Sequence, residues 1–264
     1  MTTLDTTRET TRPSDLIPRR APRILGLARA ELALLLRNRM QMVMAVITPL
    51  FVPLMMLPVK NAGAGPEALA TSLGTMYIFA LLFVVFYTLL STYVARRQAH
   101  VLKRLRTGEA RDLEILGAAA VPSLAIAAVM ITLMTAIAIP LLDLPMPQNP
   151  LLLALALLLG ALVMVPFALL TANISRTVES VQVTCLPFMA LAVIGAGAAL
   201  PVEMLPELAQ RLIAYVPTAP MVELIRMAWL GEDGDLVKSL IILVAWIGLG
   251  MWQVLRSFRW EPRG

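Results

Sequence analysis

Charge is the first thing this chain is short of. Of its 264 residues only 15% are Asp, Glu, Lys or Arg, while 59% are apolar; an average soluble domain carries about 25% charged residues. A soluble fold of this size cannot hide that much apolar surface, so lipid is the expected solvent. Cysteine and histidine are scarcer still, with one each, Cys185 and His100. A lone thiol in an apolar run excludes a disulfide framework and a thiol metal site, leaving Cys185 as packing. One histidine in a polar loop supplies neither a Ser/His pair at the membrane nor a metal cluster, which speaks against an intramembrane protease or lipid hydrolase. No ionisable side chain lies in the middle of an apolar run, where proton- and sodium-coupled carriers usually hold their ion. Unwound backbone is the remaining way for such a carrier to bind sodium. No glycine precedes a lysine, so the GxxxxGK[ST] loop that cradles nucleotide phosphates is missing. Uphill work by this chain would need energy from another polypeptide.

What is there is a series of apolar runs joined by short polar segments. Residues 1–21, rich in Thr, Arg, Pro and Asp, have no apolar period and read as a disordered cytoplasmic tail. The first long apolar run lies far from the start and lacks a small-residue cleavage site, so insertion through the chain's own spans is expected. Residues 22–39 (PRILGLARAELALLLRNR) begin with a proline suited to a helix start. Ile24, Leu25, Leu27, Ala28, Leu32 and Leu35 share one arc, Arg23, Arg29 and Arg37 lie opposite, and Arg39 closes the segment. That pattern predicts an amphipathic helix lying in the membrane interface, with Glu31 in or beside its apolar arc either weakening the pattern or marking a protein contact. A cytosolic helix packed on a neighbour is the alternative.

Six runs are long enough to cross a core of ~30 Å, and together predict an all-α integral membrane domain over 40–255. They cover about 40–59, 73–95, 115–142, 151–175, 181–202 and 236–255, with a basic tail at 256–264. Pro49, Pro53 and Pro58 predict a kinked, protein-packed first span, and 60–72 a short Gly/Pro/Ala loop. The second run is the most aromatic, with Tyr77 and Tyr93 near its ends, as an interfacial belt requires. The third spans with tilt or starts as an interfacial segment before Pro122. The fifth is interrupted by Pro187 and carries Gly195 and Gly197 among alanines, which suits close helix–helix or dimer contact. Between the fifth and sixth, residues 207–216 and 221–230 are amphipathic pieces too short to cross and too apolar for a free loop. They predict a helical hairpin dipping into the far interface. Thr88, Ser91 and Thr132 are expected to bond back to their own turns.

Placing the N-terminus inside puts 18 of the 22 Lys and Arg residues in inner segments, which predicts both termini in the cytoplasm. That asymmetry accounts for the net charge of +5 without a nucleic-acid partner. The largest inner loop is the charged island Arg96–Glu114 (RRQAHVLKRLRTGEARDLE), the one place where a cytoplasmic energy source has something to push on. A short helix there sets Leu102, Leu105 and the stem of Arg106 on one side and Lys103 and Arg104 on others, stopped near Thr107–Gly108. Glu109, Asp112 and Glu114 favour the start of the following helix, where carboxylates complement the dipole. The composition equally fits a plain positive-inside anchor.

Over roughly residues 22–255 the chain resembles the membrane subunit of type-2 ABC exporters, the permease family that includes daunorubicin-resistance and polysaccharide-export members. The likeness starts with the basic amphipathic helix ending LLLRNR before a Pro-containing span. It continues in VLKRLRTGEARDLEIL, similar to the family's E-x-G-T-L-E-R-L-x-x-T-P-L-x-x-x-E-I-L segment, with Leu102, Arg104, Leu105, Thr107, Glu114, Ile115 and Leu116 on matching positions. Its strongest part is LPVEMLPELAQRLIAYVPTAPMVELIRMAWLG before the last span, carried by Pro201, Leu205, Pro206, Pro217 and Arg226. The chain departs from the pattern at Arg97, Gln98 and Ala99, where acids are usual, and at Gly108, where proline is usual.

The resemblance implies an exporter permease of the bacterial cytoplasmic membrane, working as a pair with a second copy or a paralogue. It binds no cofactor itself; ATP and Mg would sit on separately encoded ATP-binding cassette subunits. Residues 23–39 would be a connecting helix, and 100–109 the coupling helix on which the ATPase docks: His100, Leu102, Lys103, Arg104, Leu105, Arg106, Thr107, Gly108 and Glu109. Residues 204–230 would form an external re-entrant hairpin marked by Pro201, Pro206, Pro217 and Arg226. A path between subunits would be lined by the first, second and fifth spans, with Tyr77, Phe83 and Tyr87 as its aromatic candidates. The expected cargo is an amphipathic or hydrophobic drug, antibiotic or lipid-like molecule. Alternatives are sugar-polymer export by the same family, a non-transporting scaffold or sensor docking a cytosolic protein, and an ion-coupled carrier.

Overall fold

Prolines and small polar side chains decide where the helices of this chain begin. The computed structural model describes residue 51 and residues 53–99, 112–198 and 206–257, and every element among them is helical. In order these are α1 (Leu57–Asn61), α2 (Pro66–Leu81), a π-helical segment (Leu82–Tyr87), α3 (Thr88–Gln98), α4 (Asp112–Leu142) and α5 (Pro150–Ile174). They continue as α6 (Val178–Thr184), α7 (Leu186–Gly195), α8 (Glu207–Ile213), α9 (Thr218–Leu230) and α10 (Leu236–Ser257). Pro66, Pro150 and Pro187 each sit in a first turn, where the missing N–H has no intrahelical partner to lose. Asn149 caps α5 by accepting from the Leu152 N–H at 3.0 Å. Thr177 and Ser180 form a reciprocal capping box at the start of α6.

Five helices among the described residues are long and apolar enough to cross a membrane: Ser72–Gln98, Ala120–Leu142, Pro150–Ile174, Val178–Gly195 and Leu236–Ser257. Most of the expected first span, 40–50 and residue 52, lies outside the described residues. So do the interfacial segment 22–39, the loop 100–111 and residues 199–205. Three expectations need correcting. The loop drawn at 60–72 shrinks to residues 62–65, because α2 already starts at Pro66. The fifth span is broken beside Pro187 as expected, at Cys185, but its helices run from Val178 and end at Gly195 in place of the expected 181–202. Finally, Tyr77 and Tyr93 do not form an interfacial belt, being 0% and 1% exposed. Their hydroxyls instead bind across helices, Tyr77 to Thr135 Oγ1 at 2.6 Å and Tyr93 to the Leu116 carbonyl at 2.7 Å. Residues 115–142, by contrast, are one unbroken helix through Pro122 and Pro140.

The other helices pack chiefly on α5. Its buried face includes Ala156, Gly160, Ala161, Ala168 and Ala172, and small residues let backbones close up where lipid offers no hydrophobic drive to association. A Cβ added at Gly160 would collide with the Met221 side chain of α9, and one at Gly250 of α10 would stand 2.8 Å from the Pro166 ring of α5. Hydroxyls on the spans mostly bond backwards, Thr132 to the Ala128 carbonyl and Thr171 to that of Phe167. Contacts at the helix ends sort the bundle into two poles. At one, Lys60 donates to the Leu141 carbonyl at 3.1 Å and to Asp143 Oδ2 at 2.5 Å, and Asn149 N–H donates to the Ala228 carbonyl at 2.9 Å. At the other, Arg97 meets Ala172 and Ser175, and Asn173 donates to the Ser257 carbonyl at 3.2 Å.

Candidate functional site

The pole holding Arg97 is built on helix ends. Arg97 belongs to the last turn of α3 and opens the charged island, yet it is only 2% exposed. Its guanidinium donates from Nη1 to the Ala172 carbonyl at 2.8 Å and from Nη2 to the Ser175 carbonyl. The final carbonyls of α5 lack intrahelical donors and carry the negative end of its dipole, so a buried cation is doubly favoured there. Ser175 is itself fully buried; its hydroxyl donates to the Thr171 carbonyl at 3.0 Å and pairs with Thr184 Oγ1 at 2.6 Å. Three helices therefore meet at one small polar joint: α3 through Arg97, α5 through its C-terminus, and α6 through Thr184. Island composition suggested a basic patch at the surface; in fact Arg97 faces inward, while Arg96 beside it stays partly exposed.

The opposite pole holds a cleft of about 580 Å³, whose polar lining includes Gln210, Glu223, Arg226, Glu232, Asp233 and Lys238. Helix α9 forms one wall. Its start is pinned where Thr218 Oγ1 donates to the Ala192 carbonyl at 2.8 Å, beneath Gly195, whose missing side chain leaves room for Val216 and Thr218. Its end is closed by Gly231 at φ 70, the left-handed conformation glycine adopts freely, and by Gln148 Nε2 donating to the Leu230 carbonyl at 2.8 Å. The turn between α8 and α9 is held by Trp246, whose indole N–H donates to the Tyr215 carbonyl at 2.8 Å. Trp246 lies ten residues into α10, so that turn sits roughly 15 Å along the helix from its start. Within the cleft several of these polar side chains have defined partners. Arg226 pairs with Glu232 at 2.8 Å, and Glu223 accepts from Ser239 Oγ at 2.7 Å and from the Asp235 N–H at 3.2 Å.

A second cavity, about 520 Å³, runs between α4 and α5. It is apolar apart from Thr132 and Thr135, and much of its recess comes from alanines such as Ala128, Ala136 and Ala154.

Of the residues singled out in the sequence, Pro206, Pro217 and Arg226 fall in the α8–α9 segment, with Arg226 lining the cleft. Tyr77, Phe83 and Tyr87 share the helix of the second span but not one surface: Tyr77 is enclosed against Thr135, whereas Phe83 is 55% exposed. Arg23, Arg29, Glu31, Arg37, Arg39, Pro201 and the whole of 100–109 lie outside the described residues. The Arg97 joint and the Trp246 bond had not been anticipated. A basic residue directly after an apolar run reads as an anchor, and nothing in one sequence tells a buried arginine from an exposed one.

Residues 29–256 match the family described as ABC-2 family transporter protein. No individual curated protein matches the chain. The matched stretch takes in the charged island, both poles of the bundle and helices α8 and α9, well over half of the 264 residues. The chain therefore belongs to the ABC-2 transporter family, whose members are membrane permease subunits without a nucleotide-binding domain of their own.

Proposed function

We propose that this chain is the permease of an ATP-driven exporter that moves amphipathic or hydrophobic molecules out across a bacterial cytoplasmic membrane. A separate ATP-binding cassette subunit drives it by docking on residues 100–109, and two permease copies, or a copy and a paralogue, form the path. The carrying observation is the unbroken family match over 29–256, which encloses that loop. Apolar span interiors and the alanine-recessed cavity between α4 and α5 favour a hydrophobic cargo over an ionic one. In this reading the Arg97 pole is cytoplasmic, 22–39 is the connecting helix in the interface, and α8–α9 is an external re-entrant hairpin. Phe83 and Tyr87 are then the aromatic candidates on the path, with Tyr77 holding α4 in place behind them.

The test is reconstitution with the cognate ATPase in lipid vesicles. Leu105→Asp with Arg104→Glu is expected to abolish ATP-dependent transport and ATPase retention on the vesicles. Unchanged coupled transport in that variant sinks the docking assignment. Stable recovery of a cytosolic partner lacking a phosphate loop, with no ATPase, points instead to a scaffold.

A further inference from the structure

We propose that Arg97 is a positioning residue that transmits movement of the cytoplasmic loop into the fourth and fifth spans. The inference rests on the docking reading above, since the loop must first be moved by a partner. Arg97 stands three residues before that loop, on the last turn of α3. Its guanidinium grips main-chain oxygens, those of Ala172 and Ser175, so displacement of α3 bears on the backbone at the end of α5 and not on a partner side chain free to change rotamer. From Ser175 the chain of contacts continues through its hydroxyl to Thr184 on α6. Two links thus connect the loop's first flank with α5 and α6.

The joint has the properties such a task requires. At 2% exposure it is shielded from salt, and burial strengthens the charge-assisted bonds. The planar fork of arginine fixes direction as well as distance, which a lysine ammonium does not. A positive-inside anchor needs its charge at the headgroups; Arg97 is buried within the protein, whereas Arg96 beside it is partly exposed.

The experiment uses the full chain with its ATPase in vesicles, in a Cys185→Ser background, with an environment-sensitive fluorophore at one of two positions. Ala99→Cys reports the flank of the loop, and Val183→Cys, on the 68%-exposed Val183 of α6, reports the far side of the joint. Addition of a non-hydrolysable ATP analogue is expected to move both signals in the parent protein. Arg97→Gln is expected to keep the Ala99 response and lose the Val183 response, with Arg97→Lys restoring part of it. Thr184→Val, which removes no charge, is expected to weaken the Val183 response alone, and it tests the joint if Arg97→Gln fails to fold. A Val183 response that survives both Arg97→Gln and Thr184→Val overturns the inference. Leu105→Asp separates the two readings: it silences both reporters if the loop is the docking site. If it leaves both intact while Arg97→Gln still silences Val183, docking at 100–109 falls and the Arg97 joint stands.

Discussion

The rings of Phe86 and Phe188 stand 4.5 Å apart between centroids, tilted by 39°. Phe188 stacks in turn on Phe167 at 4.5 Å, and Phe167 meets Trp246 at 5.3 Å. One row of four rings thus crosses the π-helical segment, α7, α5 and α10, and the indole N–H at its end holds the α8–α9 turn. The π-helical segment adds a residue to the turn that carries Phe86, and Thr88 Oγ1 accordingly donates to the Phe83 carbonyl five residues back, at 3.1 Å. Such wide turns recur at working sites, where they re-aim side chains out of helical register.

Phe188 is the middle of that row, so removing its ring should be felt in every helix it joins. Phe188→Ala is expected to cost about 3–5 kcal/mol, as large-to-small changes in packed interiors do. Phe188→Leu, which refills most of the space, should cost well under half of that. Thermal unfolding of the purified chain in detergent, followed by tryptophan fluorescence, gives the comparison. Equal stability of the two variants would remove the row from the list of things that hold the bundle.

A second prediction concerns the crossing of α5 and α9. At Gly160 a methyl group would run into Met221, so Gly160→Ala is expected to destabilise by about 1–3 kcal/mol through overpacking. The obstructing atoms are the far end of a flexible side chain. Gly160→Ala combined with Met221→Ala should therefore recover part of the loss, and a double-mutant cycle on the unfolding midpoint measures the coupling. Strict additivity would mean that α5 and α9 do not meet there.

Hydrophobic run length made the membrane domain legible, because crossing lipid imposes a length on every helix. It also made 207–216 and 221–230 legible as separate pieces, each too short to cross. What it could not show was which face of a span points inward. Tyr77 and Tyr93 occupy the end positions an aromatic belt would use, yet both hydroxyls find partners on α4, since a buried hydroxyl beside a second helix satisfies itself there. The same limit hid Arg97, whose partners are main-chain oxygens 75 and 78 residues away. Backbone acceptors leave no residue-type signal for a sequence pattern to catch.

Those tyrosines give a third prediction. Thr135 keeps its own bond to the Ile131 carbonyl at 2.8 Å, and the Leu116 carbonyl lies in the first turns of α4. Losing either tyrosine hydroxyl should therefore be mild, about 0.6 kcal/mol, as is usual for interhelical hydrogen bonds in membranes. Tyr77→Phe and Tyr93→Phe should leave unfolding midpoints nearly in place, whereas Tyr77→Ala, which empties a fully buried site, should lower them strongly. A large loss in Tyr77→Phe would show that the Thr135 contact carries far more than its geometry suggests.

The fourth prediction turns the two poles into a measurable sidedness. Contacts put Ala62 near the Lys60–Asp143 pair and put Arg176 beside the Arg97 joint, so the two positions must lie at opposite ends of the bundle. The six-span reading of the sequence assigns eighteen of the chain's basic residues to the Arg176 side, and cytoplasmic segments retain basic residues. In a Cys185→Ser background, which removes the one native thiol, Ala62→Cys should be labelled by an impermeant maleimide added to intact cells. Arg176→Cys should be labelled only after the membrane is opened. Labelling of both from the same side would contradict the helix-end contacts themselves. Labelling of Arg176→Cys alone in intact cells would keep the fold and reverse its orientation, placing the proposed docking loop where no cytoplasmic ATPase could reach it.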